Sequence, residues 1–515
     1  MQTMKKVLAA LALLGASSLA ATSAAPAAHA APPQVVPAFP DAVTHHAIVV
    51  DGRTLAYTAR AGTIDLTNDK GQPACRMFYT AFTLDGTDPS ARPVTFFYNG
   101  GPGSSTVWLR MGSFGPVRVA VADGRMTGPP PYRVVPNQYT LLDRTDEVFI
   151  DMCASGYSRI IGAGTPKEFF GADPDVKSFA QFVDRYVTRF GRWNSPKFLF
   201  GESYGTPRSA MLVDYLQNQG IGINGVVLLS SILNFGLYAS TYGDSVPQAG
   251  GDWSYVLYLP TETAAAWYHH RLPAGAPSDL HTAVMESRDF AMGEYLNALA
   301  QGAHLSRGTY NDVVAKLHRF TGLSENYIRL ANLRVSYQRF LMQLERNQGK
   351  VVGRYDSRYE NDVLDSAADE WPWDPTDAAI DSAFTAANNA YIQQGLGYRP
   401  PERYRVLAYA LIHADGGWNW HHNNSPVLNT APDLANALTY NPGLRVFSAN
   451  GYYDFATPWL ATVYTLDHLN LKPDLQSHIT YGFYESGHMV YLHHAALVQF
   501  HSDLESWYAQ TLAGR

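Results

Sequence analysis

Cysteine is almost missing from this 515-residue chain, which carries only Cys75 and Cys153. Two thiols cannot make a disulfide framework, so stability has to come from a packed core, and their positions leave open whether they pair. Positive charge is also short. A formal net charge of -7 offers no basic footprint for nucleic acid. The 16% charged and 13% aromatic content excludes a disordered chain and describes a compact one. The glycine run Asn99–Ser105 carries neither the dinucleotide fingerprint nor a Gly-Lys-Ser/Thr ending, which removes a nucleotide-binding reading of it. Beyond the first thirty residues no apolar run is long enough to span a bilayer, so stable membrane insertion is not expected. Internal repeats are absent, and oligomeric state leaves no trace.

What is present begins with a leader. Lys5 and Lys6 precede an apolar run from Val7 to Leu19, and Ala28-His29-Ala30 offers a small-x-small cleavage site. Residues 1–30 therefore read as a secretory signal peptide, and the protein as exported, periplasmic or extracellular. The remainder is long for one simple core. Residues 45–98 read as short alternating strands broken by hairpin signals such as Asp51-Gly52 and Asp85-Gly86. Near-continuous apolar strands follow at Pro93–Tyr98, Val148–Asp151, Lys197–Phe200, Gly225–Leu229, Leu444–Ala449 and His478–Gly482. They alternate with helical periodicity over 173–190 and in a closing helix near 495–512. That alternation predicts an α/β fold, a mostly parallel central sheet with helices on both faces. From residue 236 the texture turns aromatic-rich and helix-favouring. The expected organisation is a core over 31–235, an inserted, mainly helical cap over 236–425, and the rest of the core over 426–515.

The chemistry gathers at strand ends. Lys197-Phe198-Leu199-Phe200-Gly201-Glu202-Ser203-Tyr204-Gly205-Thr206-Pro207 reads as strand, sharp turn and helix with Ser203 at the apex, the nucleophile elbow of an α/β-hydrolase. Glycines flank the turn because a Cβ would clash. A serine hydroxyl needs a histidine to take its proton and an acid to fix the imidazole, in chain order Ser, acid, His for this fold. Asp454 lies just past one late strand and His488 just past the next. The glycine run Asn99-Gly100-Gly101-Pro102-Gly103-Ser104-Ser105, also after a strand, could bring N–H groups close to an oxyanion, or be a simple Gly/Pro turn.

Together these motifs, with Val148-Phe149-Ile150-Asp151 and Gly156-Tyr157-Ser158, resemble the serine carboxypeptidases over about residues 45–235 and 430–500. The resemblance implies Ser203 as nucleophile, His488 as base and then acid, and Asp454 as orienter. It further implies an oxyanion hole from the N–H groups of Gly101 and Tyr204, with Asn99 and Glu202 holding the substrate's terminal carboxylate. Glu202 would have to be protonated, its pKa raised by burial and nearby negative charge. No metal or organic cofactor is implied, and the expected partners are peptides with a free C-terminus. Two departures stand out. Ser113 occupies the place of the family's second acid before Gly115-Pro116, and Ser104 that of a cysteine often found after the glycine run. The resemblance does not extend to the cap.

The first departure gives weight to a rival reading, an esterase or acyltransferase using the same residues. A catalytically inactive hydrolase fold acting as a binding protein is the rival from another class. Glu202 could also be merely a surface acid at the elbow helix. The pairs His269-His270, His421-His422 and His493-His494 do not have metal-ligand spacing, although His421 and His422 could line the cleft. Trp371, Trp373, Trp418 and Trp420 read as cap core. Asp467 is a rival acid but sits within an expected helix.

Overall fold

The computed structural model describes residues 39–241, 251–368, 373–412 and 417–513. The leader over 1–30, Trp371 and part of the change of texture near 236 lie outside the described residues. Ten strands form the main sheet. In chain order they are β1 (Ala42–Val50), β2 (Arg53–Thr67), β3 (Pro73–Leu84), β4 (Val94–Tyr98) and β5 (Asp146–Ile150). The short β6 (Arg159–Ile160) is followed by β7 (Lys197–Glu202), β8 (Gly225–Leu229), β9 (Arg445–Gly451) and β10 (Ile479–Tyr484). The spatial order is β1-β2-β3-β5-β4-β7-β8-β9-β10, with β6 paired to β3. From β5 to β10 along that path every pairing is parallel. The β1–β3 meander and the β3–β5 pairing are antiparallel. This is the α/β-hydrolase arrangement.

The parallel strands are apolar on both faces because both faces are covered. Phe96, Leu199, Val226 and Val446 point into one core. Their neighbours Phe97, Phe200, Val227 and Phe447 point into the other. The helices Ala172–Arg189 and Gly205–Asn218 bury Phe179, Phe182 and Leu212 against the first face. The closing helix His494–Ala513 buries Leu497, Phe500 and Leu504 against the second. Each such side chain contributes about 1.5–3 kcal/mol when removed from water.

Between β8 and β9 the chain leaves the sheet and returns. This stretch holds the helices Trp253–Tyr268, Leu280–Phe290, Arg307–Thr321, Tyr337–Leu344 and Pro375–Ala390, and a hairpin of Lys350–Val352 with Glu360–Asp362. Its described residues join the two cores of the sheet. Val256, Val314 and Phe340 extend the first apolar cluster, and Ile380 and Phe384 extend the second. Its segment at 405–408 also returns to the sheet's rim, where Leu407 bridges Ser104 and Arg405 bridges Gly156. Trp418 is buried in the first cluster, whereas Trp373 is 40% exposed, so Trp373 is not the core residue expected of it. A tryptophan just before a helix N-cap (Asp374) has a turn's exposure, which composition does not reveal.

Cys75 in β3 and Cys153 just beyond β5 form a disulfide with a Cα separation of 6.4 Å. The antiparallel β3–β5 pairing, which sets Tyr79 opposite Ile150, brings them together.

Candidate active site

Ser203 follows β7 directly and takes φ +59°, a left-handed conformation that costs a non-glycine residue of order 1–3 kcal/mol and marks a sharp turn. Its N–H is spent on Leu229 O at 3.0 Å. The elbow closes only because its neighbours lack side chains. A Cβ on Gly201 would lie 2.1 Å from Gly205 O. Pro207 falls in the first helical turn, where its missing N–H is an orphan donor anyway.

The glycine loop after β4 is pressed onto this elbow. A Cβ on Gly100 would lie 2.3 Å from Tyr204 N, and Gly101 has φ +104°. Arg208, on the elbow helix and fully buried, donates to Asn99 O at 2.8 Å and pairs with Asp175 at 2.6 Å. Its charge lies 4.3 Å from the Phe179 ring centroid. Among the described residues, the N–H groups of Gly101 and Tyr204 donate to no main-chain acceptor, so both remain available at the turn.

Asp454 follows β9 and His488 follows β10, each just past its strand end. His488 Nδ1 lies 2.8 Å from Asp454 Oδ2. The other carboxylate oxygen accepts from the N–H groups of Ala456 (2.7 Å) and Thr457 (2.9 Å), and Thr457 Oγ1 donates to Oδ2 at 2.6 Å. With both oxygens bonded in this way the carboxylate is fixed, and the imidazole tautomer with hydrogen on Nδ1 is favoured. Ser203, His488, Asn99, Gly101, Glu202 and Tyr204 all line one cleft of about 450 Å³.

Glu202 is not a surface acid. It is 3% exposed, and its Oε2 accepts from the Tyr491 hydroxyl at 2.8 Å. Burial pushes its carboxyl up to about 7; nearby His488 and hydrogen bonds from Tyr491 and Asn99 oppose this, and Asp454 adds to it. Asn99 Oδ1 also accepts from Leu109 N at 3.1 Å, which aims the amide. The position of the missing second acid is plain. Ser113 is buried, and its hydroxyl donates to Leu109 O at 2.6 Å, ending the Val107–Gly112 helix. Tyr491 packs against the preceding Gly112, where a Cβ would come within 2.6 Å of the ring.

Several neighbours of this cleft escape motif reading. Thr457 had a local signal, since Asp454-x-Ala456-Thr457 is an Asx-turn pattern. Tyr491 stands three residues past His488 with no pattern to single it out. Arg354, Tyr355 and Asp377 line the cleft from the inserted region, and burial, with Asp374 and Asp381 nearby, raises Asp377. Trp418 and Trp420 pack edge-on to the Tyr204 ring at 5.4 and 5.8 Å.

Other expectations settle differently. His421 and His422 do not line the cleft; His422 lies between Asp173 (2.6 Å) and Asp433 (3.0 Å), and these bonds, Asp433 first, raise it to about 9. His269 bonds Ser357 O and His493 bonds Glu485 O. Asp467 ends the Trp459–Asp467 helix and accepts from Tyr481 at 2.8 Å, away from His488. Asp143, His501 and Glu505 bring ligand atoms within 4.8 Å of one another. Arg144 already pairs with Asp143 at 3.0 Å and Glu505 at 2.7 Å, supplying the positive charge there.

Sheet order and strand-end geometry define the class, an α/β-hydrolase. A family model described as serine carboxypeptidase matches residues 53–490. The chain belongs to the serine carboxypeptidase family and is a hydrolase of that type. Among solved structures it is similar to a proline iminopeptidase from Mycobacterium smegmatis, at 14% identity and TM-score 0.37, covering 88% of this chain and 100% of that one. It is also similar to a lipase in an open form, at 12% identity and TM-score 0.33, over 88% and 99% of the two chains. An epoxide hydrolase from Aspergillus niger matches at 10% identity and TM-score 0.32, over 88% and 78%.

Burial of Glu202 has a consequence for stability. Its carboxyl is held near 7, against 4.5 as the ordinary value, so the folded chain keeps a proton that the unfolded chain releases. The resulting stability is full below about 4.5 and is lost as pH rises through about 7. Glu202→Gln cannot ionise. Its Tm relative to the native sequence is expected to rise between about pH 5 and about pH 8, measured by thermal melts. A Tm difference that stays constant over that interval would show that Glu202 ionises as an ordinary carboxyl.

Proposed function

We propose that the protein is an exported carboxypeptidase that hydrolyses C-terminal peptide bonds through an acyl-enzyme on Ser203. Its hydroxyl attacks the scissile carbonyl while His488 Nε2 takes the proton, and Asp454 holds Nδ1–H and stabilises the imidazolium. The N–H groups of Gly101 and Tyr204 receive the developing oxyanion. His488 then protonates the leaving amine, and water reverses the sequence to free the acyl group.

The observation that carries the choice of substrate is Glu202, a buried carboxyl with its pKa near 7 in the same cleft as Ser203 and His488. Below that pH it is neutral. With Tyr491 donating to Oε2, its proton resides on Oε1 and is free to be donated to a substrate's terminal carboxylate, beside the Asn99 amide. Above that pH it is an anion and repels the same group. One neutral acid supported by a phenol thereby serves where the family uses two acids.

The second reading, an esterase or acyltransferase, is favoured by Ser113, whose hydroxyl is committed to Leu109 O and adds no acid. Blocked dipeptides with free or amidated C-termini separate the two readings. Near pH 6 the free acid is expected to have a kcat/KM about 10- to 100-fold above the amide, the worth of a hydrogen bond to a charged group. Equal values for acid, amide and simple ester would favour the esterase reading. For export, the leader is joined by the Cys75–Cys153 disulfide, a bond that persists in oxidising compartments. N-terminal sequencing of the secreted protein is expected to begin near Ala31, and a retained Met1 would contradict export by cleavage.

A further inference from the structure

The contact between His488 and Asp454 spans two loops that leave separate strands, β9 and β10. The loops bond each other directly just short of that contact, through Tyr452 N to Tyr484 O and Tyr453 N to Ser486 O, each at 3.0 Å. The structure places a third element there, the tip of the Lys350–Val352/Glu360–Asp362 hairpin in the inserted region. Arg354 O accepts from Phe455 N at 3.0 Å, and Ser357 N donates to Tyr453 O at 3.1 Å, so the tip grips the chain on both sides of Asp454. Tyr355 O accepts from His488 N at 2.6 Å, and Asp356 Oδ2 accepts from Gly487 N at 3.2 Å. The Tyr355 ring lies 5.2 Å from the imidazole.

The tip is itself braced from behind. Tyr355 N donates to Asp374 Oδ2 at 3.0 Å and Asp356 N to Thr376 Oγ1 at 3.1 Å, both at the start of the Pro375–Ala390 helix. Arg358 pairs with Asp356 at 2.6 Å and with Asp123 at 3.0 Å. The approach to the histidine loop is as close as a backbone permits. A Cβ on Gly487 would lie 2.4 Å from Asp356 Cβ and 2.4 Å from Tyr355 O.

We infer that the hairpin tip Arg354–Ser357 is a positioning clamp that sets the Asp454–His488 contact, with the Asp356 carboxylate as its positioning residue, acting through Gly487 N–H. The inference rests on the proposed roles of Ser203, Asp454 and His488. Asp356 does not line the cleft. Its effect falls on the reactivity of the serine and leaves substrate binding alone.

The test is inactivation of the full chain by a serine-directed phosphonate, with kinact and KI resolved separately. Labelling of the native protein tests the triad, and the ratio of variant to native tests the clamp. Neither depends on recognition of a C-terminal carboxylate. Asp356→Ala is expected to lower kinact about 100-fold, the effect of roughly 1 Å of misplacement, with KI unchanged within about twofold. Asp356→Asn keeps an acceptor for Gly487 N–H and is expected to recover most of that loss. The low-field proton resonance of the His488 Nδ1–H bond should weaken in the alanine variant and return in the asparagine variant. A folded Asp356→Ala with native kinact, or losses shared equally by kinact and KI and not rescued by asparagine, would overturn the clamp. If Asp356→Ala fails to fold because Arg358 is stranded, Gly487→Ala takes its place by forcing the same two segments apart. A similar fall in kinact is then expected, and a native value overturns the clamp.

Discussion

Everything at the site depends on how closely two strand-end turns approach each other. The loop after β4 and the elbow after β7 come within a distance that only glycine backbones allow, with Gly100 against Tyr204 N and Gly201 against Gly205 O. Adjacent parallel strands deliver both turns to the same sheet edge. Buried Arg208 then ties them, reaching Asn99 O from the elbow helix while Asp175 compensates its charge. Removing one partner of such a buried pair strands the other at a cost of about 3–5 kcal/mol. The approach is thus held by sterics and by charge together.

The same closeness explains the chemistry of Glu202. As the last residue of β7, beside the elbow serine, Glu202 is almost wholly buried at the cleft wall, and burial raises its carboxyl. Its hydrogen-bond partners come from far along the chain, Tyr491 from beyond His488 and Asn99 from the glycine loop. Ser113 completes a helix end and leaves the room near Gly112 to the Tyr491 ring. A phenol there donates a hydrogen bond to Glu202 and adds no carboxyl of its own.

The parallel sheet was legible because apolar strands buried on both faces look alike in any order, and turn residues mark their ends. The strand ends in turn located Ser203, Asp454 and His488, and the structure joins Asp454 to His488 and sets Ser203 and His488 in one cleft. The Cys75–Cys153 bond was not legible, since it follows from β3 pairing with β5 across the sheet. The exposure of Trp373 was missed for a related reason, as composition reports that a tryptophan is present and not which side of a helix cap it takes. The hairpin tip at Arg354–Ser357 was least visible of all. Three of its four bonds to the Asp454 and His488 loops are main chain to main chain, and such bonds leave no side-chain signature in a sequence.

The central claim is that neutral Glu202 recognises the substrate's free carboxylate. The most direct measurement is KM against pH for a blocked dipeptide acid, with native protein and with Glu202→Gln. The expected result is a KM that climbs as pH passes about 7 in the native protein and a climb that is absent in the variant. The same climb in both proteins would contradict the account.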